Sequence, residues 1–183
     1  MKKMLLTVMG VFTLMACQEK EKTAYVDNKV LVQDFEVMKS TEERFSKKSE
    51  AMRKRLDSVA RAFQEEVQTY QKEMPTLSLA KRQKREEALM QKQQILQRQQ
   101  QAESNTLREE SDQAIDSIIT QVKDFVADYG KNNGYTYIFG SNETANIMYA
   151  KEGKDITKTV LEALNKKYGS AVKDTTDTTT DKK

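Results

Sequence analysis

The spacing of apolar positions changes several times along the chain, and each change marks a different element. Residues 4–15 form an unbroken apolar run behind the basic start Met1-Lys2-Lys3. At about a dozen residues it is too short to span a bilayer, and its flanks are those of a secretory signal, cleaved after residue 16. Thr23-Ala24-Tyr25-Val26 is a short β-prone piece closed by Asp27-Asn28, a turn or N-cap pair before the apolar-rich stretch 29–38. This predicts a strand plus a short helix over 23–39. Ser40-Thr41-Glu42-Glu43 has the capping-box pattern, so the helix is expected to restart or bend there.

Between residues 35 and 74 two seven-residue series run in parallel. One is Phe35, Glu42, Ser49, Leu56, Phe63, Tyr70; the other is Met38, Phe45, Met52, Val59, Glu66, Glu73. Alternating steps of three and four place both on one stripe of an α-helix, the seam that a partner helix covers. Four of the twelve positions are polar, so the seam is loose. Met74-Pro75 ends the segment, because proline lacks the N–H and disfavours helical geometry in the residue before it. A second helix is predicted over 78–129 with Gly130 as its stop. Lys81, Arg82, Lys84, Arg85 and the glutamine-rich 91–101 dominate its first half; Ile115, Ile118, Val122, Phe125 and Tyr129 give the second half an apolar stripe. Leu96, Leu107, Ile118 and Tyr129 recur every eleven residues, which suits a nearly straight path. The pattern therefore predicts an antiparallel helical hairpin over 40–130 with its turn near 75–78. At ~1.5 Å per residue it is on the order of 75 Å long, far more than a compact domain of this size needs.

After Gly130 the pattern switches to period two. Asn132-Asn133-Gly134 is a turn, Tyr135-Thr136-Tyr137-Ile138-Phe139 a strand, 140–143 a turn, and Ala145-Asn146-Ile147-Met148-Tyr149 a second strand. Asp155 is expected to cap a helix in which Ile156, Val160, Leu161, Leu164 and Tyr168 share a face, stopped by Gly169. The two strands and the closing helix of 131–169 would join the opening strand as a three-stranded sheet with a helix on it. Such a sheet has open edges and too little apolar surface to stand alone, so self-association is expected. Residues 170–183 are Thr, Asp and Lys with almost nothing to bury and read as a disordered tail.

Composition narrows the chemistry. The 183 residues include no His and one Cys, which excludes a Ser-His-Asp or Cys-His dyad, a two-Cys zinc knuckle and any intrachain disulfide. Gly134 and Gly140 are not a phosphate loop, because no Gly-Lys-Ser/Thr follows. Carboxylates are interleaved with Lys and Arg, and no pocket is readable that would shift one for acid-base work. No catalytic residue, cofactor or metal is expected, and the chain is not read as an enzyme. The formal charge of +3 includes Lys2 and Lys3; without them 29 basic residues face 28 acidic ones, which argues against nucleic acid as a partner. The single Cys lies in Leu14-Met15-Ala16-Cys17 ahead of polar Gln18-Glu19-Lys20, resembling the lipobox of exported bacterial lipoproteins. Cys17 is thus the expected lipid-attachment site, with 17–22 a lipidated start and short polar leash. Several acyl chains on one residue meet the condition for stable anchoring.

Taken together, the order of elements resembles the Skp/OmpH family of periplasmic chaperones over residues 23–168. The residues that carry the likeness are Ala24-Tyr25-Val26-Asp27 with Val30-Leu31, Gly134-Tyr135-Thr136-Tyr137-Ile138-Phe139, and Asp155-Ile156-Thr157-Lys158-Thr159-Val160-Leu161. The resemblance implies a mainly α fold with a small β part, in which a long helical hairpin projects from a small β-rich oligomerisation body. It also implies a homotrimer whose three arms enclose a cavity for unfolded outer-membrane or envelope proteins, without nucleotide. The lipid-bearing Cys17 departs from the best-known members, which are soluble; here it implies a membrane-anchored lipoprotein of the cell envelope facing the periplasm, at the outer membrane. If the hairpin turns at Pro75, its tip is basic, and Lys72, Met74, Lys81, Arg82, Lys84 and Arg85 are candidates for contact with clients or anionic lipid. Met38 and Met52 read instead as seam packing. The competing reading is a structural or adaptor coiled-coil lipoprotein that acts as a spacer or scaffold in the envelope.

Overall fold

The structure is a computed structural model that describes residues 21–142 and 147–169. The predicted signal segment, Cys17, the tail 170–183 and residues 143–146 of the second expected strand and its turn lie outside the described residues. The chain order is β1 (Thr23–Asp27), α1 (Asn28–Gln33), α2 (Glu36–Glu73), a 3₁₀ turn (Met74–Thr76), α3 (Leu79–Asn132), β2 (Tyr137–Ser141) and α4 (Thr157–Tyr168). The fold is mainly α with a small sheet, and α2 and α3 form a long antiparallel hairpin that projects from the body. At 1.5 Å rise per residue α3 alone is about 80 Å long.

Each break in the helices has a physical cause. Asp27 starts α1, its Oδ1 accepting from the amides of Lys29 at 2.8 Å and Val30 at 3.1 Å. The break before α2 falls at Asp34 and Phe35, not at Ser40. Helix α2 passes through the capping-box sequence without interruption, and the Ser40 hydroxyl donates back to the Val37 carbonyl at 2.9 Å. Phe35 occupies the N-cap position and is fully buried, so it offers no polar cap. The cap comes from α4, where Asn165 Oδ1 accepts the Glu36 amide at 2.9 Å. At the other end of the hairpin Pro75 opens the 3₁₀ turn, in which no residue is buried.

Gly130 does not stop α3. It is buried inside the helix, where a Cβ would lie 3.2 Å from Ile138 Cδ1, so its smallness lets β2 approach. The chain reverses at Gly134, whose φ of 69° favours glycine. Tyr135 N then donates to the Gly130 carbonyl at 2.9 Å, and β2 sets off back along the body.

The sheet differs from the one expected. Among the described residues it has two strands, β1 and β2, paired in parallel with Thr23 opposite Tyr137 and Val26 opposite Gly140. On its other edge β1 meets Asp155 in an isolated bridge: Tyr25 N donates to the Lys154 carbonyl at 2.9 Å and Ile156 N to the Tyr25 carbonyl at 3.0 Å. Ile147, Met148 and Tyr149 form no strand, and Met148 and Tyr149 are 89% and 86% exposed. Both edges of β1 are already taken, which leaves a third strand only the outer edge of β2.

One face of the sheet, Ala24 and Val26 with Ile138 packed beside them, closes a single core with Leu31, Phe35, Met38, Ile118, Val122, Phe125, Ile156, Val160 and Leu164. Tyr168 stands edge-on to both Phe35 and Phe125 at 6.2 Å. Thr157 ties the body's ends together. Its hydroxyl accepts the Asp27 amide at 2.9 Å and donates to Asp155 Oδ1 at 2.6 Å, and that same oxygen accepts the Thr157 amide at 2.9 Å. The residues of Tyr25-Val26-Asp27 and Asp155-Ile156-Thr157 are thus two halves of one hydrogen-bonded junction.

Candidate functional site

The arm is held at constant register by four ion pairs across the hairpin: Lys48 with Glu110, Arg55 with Glu103, Glu66 with Lys92, and Glu73 with Arg85. Each step along α2, of seven, eleven and then seven residues, is matched by an equal step back along α3. Near the body the cation belongs to α2; near the tip it belongs to α3. Heptad and eleven-residue spacing are mixed, so the seam stays aligned over a long reach with little supercoil.

Apolar burial along the arm is slight. Between Thr41 and Ile118, themselves buried, Tyr70 is the only other buried residue. Phe45, Met52, Leu56, Val59 and Phe63 of α2 and Leu89, Leu96 and Leu107 of α3 are half-buried, with a dent of about 270 Å³ beside Leu56, Phe63, Gln93 and Leu96. Glu42 and Ser49, at polar positions of the seam, are exposed. The arm thus presents half-open apolar side chains among charges along its whole length. Met38 belongs to the body core, whereas Met74 is partly exposed and Met90 is 61% exposed.

At the tip the six candidate residues take different places. Arg82 supports the turn, its Nε donating to the Leu77 carbonyl at 3.0 Å and its guanidinium reaching the Pro75 carbonyl at 3.4 Å. Arg85 pairs with Glu73 at 3.2 Å. Beneath them the Tyr70 hydroxyl donates to Glu86 Oε1 at 2.6 Å, and this bond to a carboxylate holds the Tyr70 phenol above its ordinary pKa. Lys72, Lys81 and Lys84 are exposed and project from this locked turn beside Met74 and the exposed Leu79. Farther down, the hydrogen bond from Arg55, backed by Gln99, holds Glu103 below the usual carboxylate range, and Lys47 does the same for Glu43.

The body offers two apolar surfaces. The outer face of the sheet carries Tyr25, Tyr137 and Phe139; the last two stack at 5.8 Å and stay more than half exposed. An open hollow of about 590 Å³ joins Tyr25 and Phe139 to Met148, Tyr149 and Lys151. On the opposite side a groove of about 870 Å³ runs between α1, α3 and β2, walled by Val26, Val32, Ile119, Val126, Tyr135 and Ile138. Sequence patterning placed Tyr137 and Phe139 in a strand but did not show that their face is left uncovered. The signal that could have revealed it is period two that puts Tyr25, Tyr137 and Phe139 on the face opposite Ala24, Val26 and Ile138, apolar on both faces of a very small sheet.

Among the described residues no group of three or more His, Cys, Asp or Glu could hold a metal ion, and no helix is long and apolar enough to cross a membrane.

A family model described as outer membrane protein (OmpH-like) matches residues 22–164. The chain is also similar to a crystal structure from Caulobacter crescentus CB15, whose protein is provisionally assigned as an outer membrane chaperone (OmpH-like). The two share 15% identity, with 82% of this chain and 88% of that one covered at a TM-score of 0.71. No curated protein sequence matches the chain.

Proposed function

Since the chain belongs to the OmpH-like family, we propose that it is an ATP-independent holdase chaperone that keeps unfolded outer-membrane or envelope proteins from aggregating. The observation that carries this reading is the arm. Between Thr41 and Ile118 a helical hairpin leaves nearly all its apolar residues half-open among mobile charges. Such a surface makes many small contacts with an irregular chain and releases it without fuel, because no single contact is strong; flexible Met side chains suit such partners.

The uncovered aromatic sheet face supports self-association, since a two-stranded sheet with stacked exposed Tyr137 and Phe139 gains most by covering that face with copies of itself. Three copies would place three arms around one cavity. At the tip, Lys72, Lys81 and Lys84 with Met74 meet acidic stretches of the client, while Arg82 and Arg85 keep the turn in shape. Cys17 anchors the assembly by its lipid in the envelope, at the outer membrane.

The test is aggregation of a denatured β-barrel protein diluted from urea in the presence of the purified mature chain. Suppression saturating near one assembly per client is expected, and its absence at any ratio would overturn the reading. The ladder of four ion pairs in fixed register favours a second reading, a stiff spacer lipoprotein. A spacer would leave the aggregation unchanged and bind one folded partner.

A further inference from the structure

We propose that the tethered protein stands with its body on its own membrane and its arm directed away from it. The tip lysines Lys81 and Lys84 then meet negatively charged protein segments deep in the compartment rather than the headgroups of the anchoring bilayer. This rests on the lipid tether at Cys17 and on the association of copies through the body.

The described part of the structure defines where the leash leaves. Lys22 is clamped at the pole of the body farthest from the tip. Its carbonyl accepts the Thr136 amide at 2.8 Å, its Nζ donates to the Asn133 carbonyl at 2.8 Å, and the same Nζ lies 4.1 Å from the centre of the Tyr135 ring. Asn133 caps the C-terminal end of α3, whose other end, Leu79, adjoins the tip. One uninterrupted helix therefore separates the exit of the leash from the tip by about 80 Å. Cys17 is five residues before Lys22, which at full extension spans no more than about 18 Å. The pole is thus kept close to the bilayer, and the tip can reach it only if the molecule lies flat.

Two features oppose lying flat. Helix α2 carries nine Lys and Arg against eight Asp and Glu, and α3 nine against nine, so the arm as a whole has almost no charge by which an anionic surface could hold it. Copies joined through the body also send every leash out at the same pole, and several short tethers at one end hold a rod upright.

The experiment uses the full acylated chain on vesicles containing anionic lipid and a fluorescent acceptor lipid. Because Cys17 is blocked by its lipid, a single new thiol can be labelled, either at the pole (Asn132→Cys) or near the tip (Gln83→Cys), both at exposed positions. Flotation with the vesicles, abolished by Cys17→Ser, reports the tether independently of the dye. With flotation intact, transfer at the Gln83 site is expected to be about fivefold weaker than at the Asn132 site, given the ~80 Å helix between them. Equal transfer from both sites with flotation intact overturns the orientation and leaves the tether standing. Failure to float overturns the tether, and the orientation with it.

Discussion

Thr157 joins two distant segments through one hydroxyl, as acceptor for the Asp27 amide and donor to Asp155, while being 7% exposed. Thr157→Val keeps the shape and removes both bonds, leaving the Asp27 N–H without its acceptor. A loss of about 1–3 kcal/mol is expected, read as a lower urea midpoint with unchanged slope. Thr120→Val, at an exposed hydroxyl that only bonds back to Asp116 within its own helix, should move stability by less than about 0.5 kcal/mol. Tyr70 gives a pH signature of opposite sense to a carboxylate. Its phenol is raised above the ordinary 10.0 by donating to Glu86, so the stabilisation is complete below that value and is lost as pH rises through the higher folded one. The difference in phenolate absorbance between the wild type and Tyr70→Phe should therefore show one tyrosine that ionises late. A Tyr70 that ionises with the exposed tyrosines would mean that the bond to Glu86 is absent in solution.

At the scale of the element, the hairpin was legible as a period but not as a pairing. Residues 45, 52, 56, 59, 63 and 70 recur at helical spacing and do face the seam. Which residue of α3 each one meets follows from the tip, where the Met74–Thr76 turn sets the register that the ion pairs then share. Reversing one charge, Arg55→Glu, puts it opposite Glu103; faster amide exchange is expected around residues 50–60, with the body unaffected. The swap Arg55→Glu with Glu103→Arg should return exchange to the wild-type rate, which a contact of no consequence would not do. Glu103 and Glu43 are held below the ordinary 4.5 by their cationic partners, so their contribution is present above that value and lost as pH falls through the lowered ones. Acid should thus loosen the arm around the Arg55–Glu103 pair before the apolar core of the body. The start of α2 was not legible at all: a capping box is a local pattern, whereas the actual cap, Asn165, lies 129 residues away in sequence.

For the whole molecule the decisive surfaces are the sheet face and the tip. Tyr137→Ser with Phe139→Ser removes the stacked pair from the uncovered face, and the mass in solution should fall to that of one chain while helical content persists. Lys81→Glu with Lys84→Glu should leave that mass unchanged. It should weaken binding of an acidic unfolded client several-fold at low salt, with the difference shrinking as salt is added. The existence, direction and approximate reach of the arm were determined by the sequence alone, because helical periodicity and the scarcity of Gly and Pro act over a few residues and need no distant partner. The tertiary structure alone decided that β1 pairs with β2, that Gly130 serves close packing rather than termination, and that residues 147–149 join no strand among the described residues. Those outcomes depend on which backbone edges are still open once segments more than a hundred residues apart have met, and spacing along a chain carries no record of that.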